Sequence, residues 1–105
     1  MKREQILATL QALKPGIETR FKVKTLALFG SVVRQEQTPA SDIDVLVDFD
    51  ERATLFDLAG LRREHSAERL GLFLEEQLGC AVDVVPRRAL REEIREEVLL
   101  EAMEV

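Results

Sequence analysis

With Cys80 as its single cysteine, the chain can form no internal disulfide, and nothing in it points to an oxidising compartment; a cytoplasmic location is the expectation. No apolar stretch is long enough to span a bilayer, and Met1-Lys2-Arg3-Glu4-Gln5 lacks the apolar run of a signal peptide, so no membrane association is expected. Positive charge is also in short supply. The formal net charge of −5 sets up a field that repels a polyanion, which disfavours extended nucleic-acid binding. A single triphosphate is not excluded, because local backbone amides and a bound metal can reverse the potential within a small cleft. Proline and glycine are sparse, at three and five residues, and a chain that is 46% hydrophobic and 33% charged has the composition of a folded protein. With 105 residues there is no room for a second core, so one domain spanning 1–105 and one site are expected. A domain this small buries a modest share of its surface, which makes a homodimer or hetero-oligomer a reasonable expectation.

The apolar periodicity predicts the order α, β, short α, β, α, β, α. This is an α/β (α+β) domain with helices packed on a small mixed sheet. Ile6, Leu7, Leu10 and Leu13 recur at helical spacing over residues 3–13, and Pro15-Gly16 is expected to end that helix. Residues 23–29 read as a strand that stops at Gly30-Ser31, with a short helix from Val32 and a polar loop over residues 35–41. Ile43, Val45, Val47 and Phe49 alternate with Asp42, Asp44, Leu46 and Asp48, the period of a strand with one buried face. Leu55, Leu58 and Ala59, then Leu70, Phe73, Leu74 and Leu78, suggest helix up to Gly79, with a polar stretch over residues 62–69 that is either a helical extension or a bend. Residues 81–85 read as a third strand closed by Pro86, and Leu90, Ile94 and Val98 step by four through a last helix whose Glu92, Glu93, Glu96 and Glu97 face water.

Asp42 and Asp44 lie two apart on a predicted strand, so both carboxylates leave the same face while Ile43 and Val45 enter the core. Two ionised carboxylates side by side weaken a strand, a cost most simply offset by a divalent cation, and magnesium suits hard oxygen ligands while keeping room for phosphate oxygens. Asp83 offers a third carboxylate on another strand; if the strands are neighbours, the three could hold two metal ions for in-line phosphoryl displacement. Asp83 is then also the natural general base for an attacking hydroxyl. Gly30 permits the sharp turn after which backbone amides can converge on an anion, and Arg34, about one turn on, could place a fixed positive fork on a phosphate.

Gly30-Ser31, ten residues, then Asp42-Ile43-Asp44 resembles the signature of the polymerase-β-like nucleotidyltransferase superfamily. More narrowly, residues 26–50 together with 78–85, LGCAVDVV, look like the MNT-type minimal nucleotidyltransferases. The resemblance implies that family's fold, magnesium, ATP as substrate, and transfer of AMP to a hydroxyl. Many members resemble the antitoxin half of a pair whose other half is a HEPN-type ribonuclease toxin, and they act by adenylylating it. Carried over, Asp42, Asp44 and Asp83 would be catalytic and metal-binding, and Gly30, Ser31 and Arg34 would hold the nucleotide. The alternatives are a binding module that neutralises a toxin by contact and a nucleotidyltransferase acting on a small molecule. Gln35 stands where the family often has glycine, and residues 62–71 look like an insertion.

The remaining polar residues read more plainly. Asp48 and Asp50 suit strand-end solvation, His65 an exposed helix position, Cys80 a small core or turn residue, and Arg87-Arg88 a solvated loop rather than a contact to a nucleotide or acidic partner; Glu36 either pairs with a loop cation or faces water and is left unassigned.

Overall fold

The computed structural model describes residues 2–36, 38, 41–50 and 63–105, the side chains of residues 63–65 excepted. In chain order these are α1 (Arg3–Phe21), β1 (Val23–Phe29), α2 (Ser31–Arg34), β2 (Ile43–Phe49), α3 (Arg63–Leu78), β3 (Val82–Pro86), a 3-10 turn (Arg87–Ala89), α4 (Glu92–Glu101) and β4 (Met103–Glu104). The expected helical piece around Leu55 to Ala59 lies outside the described residues. The strands form one mixed sheet in the order β3-β2-β1-β4, with β2 parallel to β3 and β1 antiparallel to both β2 and β4.

Alternation along the strands sorts their side chains onto two faces. Leu26, Leu28, Ile43, Val45 and Val47 point to one face and form a core with Ile6, Leu10, Ile17 and Phe21 of α1 and Leu70, Leu74 and Leu78 of α3. Leu46 points the other way, where it meets Leu90 and Val98, with Ala27, Phe29, Val85, Leu99 and Ala102 around them. Leu46 had been expected among the polar positions of β2. Its burial follows from α4 crossing the second face, which leaves this central strand covered on both sides.

Helix α1 continues through Pro15 to Phe21, against the expectation that it would stop there. A proline inside a helix costs about 3 kcal/mol through a lost hydrogen bond and a clash with the preceding turn. Burying Ile17 and Phe21, each worth roughly 1.5–3 kcal/mol, offsets that cost. Phe21 also stacks at 5.5 Å on Phe73 of α3. The helix ends only at Lys22, which adopts the left-handed conformation with φ 57°.

Residues 63–71 belong to the single continuous helix α3, which resolves the choice between extension and bend for that part in favour of the helix. At the other end of the chain, Leu90 precedes α4 in extended conformation, and Ile94, expected on the apolar stripe with Val98, is 45% exposed. The four glutamates expected to face water do so. Cys80 is exposed in the bend after α3, which corrects the core alternative and leaves the turn one.

Pro15 is itself exposed and supplies no buried contact. Pro15→Ala is therefore expected to stabilise the chain by about 1–3 kcal/mol in urea denaturation, because alanine restores the helical donor.

Candidate active site

Two registers assemble the candidate site. Asp44 pairs across β2 and β3 with Asp83, and across β1 and β2 with Phe29, the residue before Gly30. Residues paired in register share a face, and adjacent strands lie about 4.8 Å apart, so the Asp44 and Asp83 side chains leave the sheet as near neighbours. Their face is the one that α4 covers only in part. Asp42 precedes β2 by one residue and is exposed, as is Asp83, while Asp44 is half-buried.

Gly30 is required by two independent constraints. Its φ of 77° and ψ of −150° fall where essentially only glycine is found. A Cβ there would also run into the Asp44 carboxylate, so Asp44 Oδ2 lies directly against the glycine backbone. Ser31 then opens α2, whose amides at Arg34 and Glu36 return to the Gly30 and Ser31 carbonyls at 3.2 and 2.9 Å. Gln35 is left-handed, with φ 58°, which gives a physical reason for the glycine often found there in the resembling family. Arg3 of α1 ties the end of α2 down by donating from Nη1 to the Val33 carbonyl at 2.9 Å.

Burial is the main cause of an Asp44 carboxyl held above its ordinary range, followed by the negative charges of Asp83 and Asp42; Glu101 adds to this and Arg34 partly opposes it. All four of those groups therefore act on Asp44 at close range. The Arg34 guanidinium is already engaged: Nε donates to Glu36 Oε2 at 3.1 Å, and Nη1 donates to Glu101 Oε1 and Oε2 at 3.0 and 3.1 Å. These bonds, the Glu36 one foremost, hold the guanidinium protonated even more firmly than usual. Glu101 also accepts the Gly30 N–H at 2.9 Å. Of the two alternatives for Glu36, pairing with a cation or facing water, the structure has the pairing, whereas Glu101 was not singled out from the sequence and is separated by 71 residues from the turn it touches.

Among the described residues, no three His, Cys, Asp or Glu side chains are gathered closely enough to hold a metal ion as they lie. The donor set of Asp42, Asp44 and Asp83 is the hard-oxygen kind that suits magnesium. Beside Asp83 a depression of about 410 Å³ is bounded by Ala67, Gly71 and Leu72 of α3 and by Val82 and Val84 of β3. Asp48 and Asp50 lie half-buried at the far end of β2, Arg87 and Arg88 are exposed in the 3-10 turn, and the side chain of His65 is outside the described ones.

Known proteins match this arrangement over nearly the whole chain. A family model described as a nucleotidyltransferase domain matches residues 10–104. Over 102 residues the chain is 36% identical to the protein adenylyltransferase MntA of Thermococcus cleftensis, covering 97% of this chain and 94% of that one. A solved structure described as a minimal nucleotidyltransferase superposes with a TM-score of 0.74 at 38% identity, over all of this chain and 97% of the other. A toxin–antitoxin structure with AMP-PNP superposes with a TM-score of 0.63 over 99% of this chain and 72% of that one; at 22% identity this bears on the fold alone. The mixed four-stranded sheet with flanking helices is thus the polymerase-β-like nucleotidyltransferase fold. No described helix is long and apolar enough to cross a membrane.

Two outcomes follow from the packing at Asp44. Gly30→Ala is expected to cost about 2 kcal/mol or more from backbone strain alone, read as a lower urea midpoint. A carboxyl whose folded pKa is raised binds more protons in the folded than in the unfolded state, so stability falls as pH rises above the ordinary carboxylate range. Asp44→Asn removes that loss. In metal-free buffer at neutral pH its Tm should exceed that of the wild type by a few degrees, and the difference should vanish near pH 3.

Proposed function

Because the chain belongs to the nucleotidyltransferase domain family, we propose that it works as one domain that transfers AMP from ATP to a hydroxyl on a partner protein. The observation that carries this reading is the register of Asp44 with Asp83 on the sheet face beside the Gly30-Ser31 turn. The curated relative of Thermococcus cleftensis is named a protein adenylyltransferase, and the toxin–antitoxin structure was solved with AMP-PNP, which supports ATP as the donor. The same likeness supports a HEPN-type ribonuclease toxin as the partner and an antitoxin role for this chain.

Gly30 and Ser31 present the turn at which the triphosphate is seated, and Arg34 stands next to it with a planar fork suited to phosphate oxygens. Asp42, Asp44 and Asp83 would hold magnesium, two ions when nucleotide is bound. Bound there, magnesium neutralises phosphate charge and polarises the reacting phosphoryl group. Asp83 takes the proton from the acceptor hydroxyl as its oxygen bonds to the α-phosphorus. The bond from that phosphorus to the bridging oxygen of the β-phosphate breaks, and pyrophosphate leaves. The acceptor hydroxyl approaches on the face that carries Asp44 and Asp83, the one that α4 covers only in part.

The chain, magnesium and α-labelled ATP should label a HEPN-type partner protein, and Asp83→Asn should slow labelling about 10²- to 10⁴-fold, the usual worth of a general base. No label from any of the four ribonucleotides, with magnesium or manganese, would sink the proposal. If Asp42→Ala abolishes labelling yet still neutralises the toxin, contact and not chemistry is the means of protection.

A further inference from the structure

The two donors that belong to the phosphate seat, the Gly30 N–H and the Arg34 guanidinium, are both taken by one carboxylate of the same chain. Glu101 Oε1 accepts from Gly30 N at 2.9 Å and from Arg34 Nη1 at 3.0 Å, while Oε2 accepts from the same nitrogen at 3.1 Å. A carboxylate and a phosphate use the same charge-assisted donors, so the two anions are alternatives at this place. We propose that Glu101 is a resident stand-in for a phosphate group, closing the seat in the nucleotide-free chain and leaving it when a triphosphate is bound. This rests on the reading of the Gly30-Ser31 turn as the triphosphate seat.

The charge balance favours replacement over coexistence. The Arg34 guanidinium is already matched by two carboxylates, Glu36 at 3.1 Å and Glu101 at 3.0 Å. Keeping Glu101 there while adding a triphosphate would place further negative charge against the same guanidinium. The latch is also weak enough to open. The Glu101 and Arg34 side chains remain 27% and 47% exposed, and partly exposed ion pairs contribute little, so a multiply charged ligand can outcompete a single carboxylate.

The backbone keeps the competitor close. Glu101 is the last residue of α4, and the chain then pairs with β1, Met103 opposite Leu28 and Glu104 opposite Ala27, with Val105 N–H bonded to the Leu26 carbonyl at 2.8 Å. The strand that leads into Gly30 thus also anchors the segment carrying Glu101, which gives the carboxylate a high effective concentration at the seat. Apparent nucleotide affinity is then reduced by the fraction of chains in which the seat is closed. A purely bracing role for Glu101 predicts the reverse: loosening the turn would weaken nucleotide binding.

Calorimetric titration of AMP-PNP with magnesium into the wild type, Glu101→Ala and Glu101→Gln separates the two. If roughly nine chains in ten are closed, Glu101→Ala should bind about tenfold tighter, with Glu101→Gln between, since the amide keeps an acceptor but not the charge. Unchanged or weaker binding in both folded variants overturns the proposal. Should Glu101→Ala fail to fold, Glu101→Gln decides by the same criterion. In the wild type, the Glu101 carboxyl carbon and the Gly30 amide resonances should move together as AMP-PNP and magnesium are added; a Glu101 signal that stays still while Gly30 shifts also overturns it. Wild-type binding that the variants do not tighten defeats this proposal alone. If neither the wild type nor the variants bind AMP-PNP with magnesium, the phosphate seat itself is lost and this proposal with it.

Discussion

The parallel pairing of β2 with β3 is the constraint on which the site depends, because it sets Asp44 opposite Asp83. A slip of one residue would turn every side chain of β3 to the other face, burying Asp83 among Ile43, Val45 and the helices and exposing Val82 and Val84. The register is held because Val82 and Val84 pack against the main core, so the apolar residues that flank Asp83 are what orient it. Glu75 of α3 adds a local hold by accepting the Val82 N–H at 3.1 Å. Core packing on one face of the sheet thereby fixes the chemistry on the other.

That division of labour is a response to charge. Burial first, and then the charges of Asp83 and Asp42, raise the Asp44 carboxyl, so the fold holds this group against both desolvation and repulsion. It can do so because the opposite face buries long aliphatic side chains from α1 and α3, and because α4 covers the rest of the second face around Leu46. Gly30 completes the arrangement by letting the backbone pass where a Cβ would displace the Asp44 carboxylate.

Much of this was legible residue by residue. The strand over residues 23–29 and its stop at Gly30 could be read from the run of apolar residues and the glycine, and the structure has the same bounds. The alternation through Asp42 and Asp44, and the Val-Asp-Val around Asp83, gave the facing of the carboxylates; that their strands are neighbours could only be posed as a condition. What escaped was decided by contacts far apart in the chain. Helix α1 survives Pro15 because Ile17 and Phe21 find a core, which periodicity cut off at the proline could not register. Ile94, one turn before the buried Val98, is left 45% exposed, which a step of four along the sequence does not foretell. Strand β4 is two residues long and exists only because β1 offers it an edge, and Glu101 reads as one more wet glutamate until the fold brings it to Gly30.

The brevity of β4 also governs how the sheet meets other molecules. An edge strand offers a row of free backbone groups on which a foreign strand can zip, and long flat edges invite runaway association. Here the β1 side ends in a two-residue strand, with the carbonyl of Val105 beside it held by the Lys14 ammonium at 2.6 Å. Beside β4 itself, a foreign strand would find only two residues of ladder to extend, too short a template to carry the sheet from copy to copy.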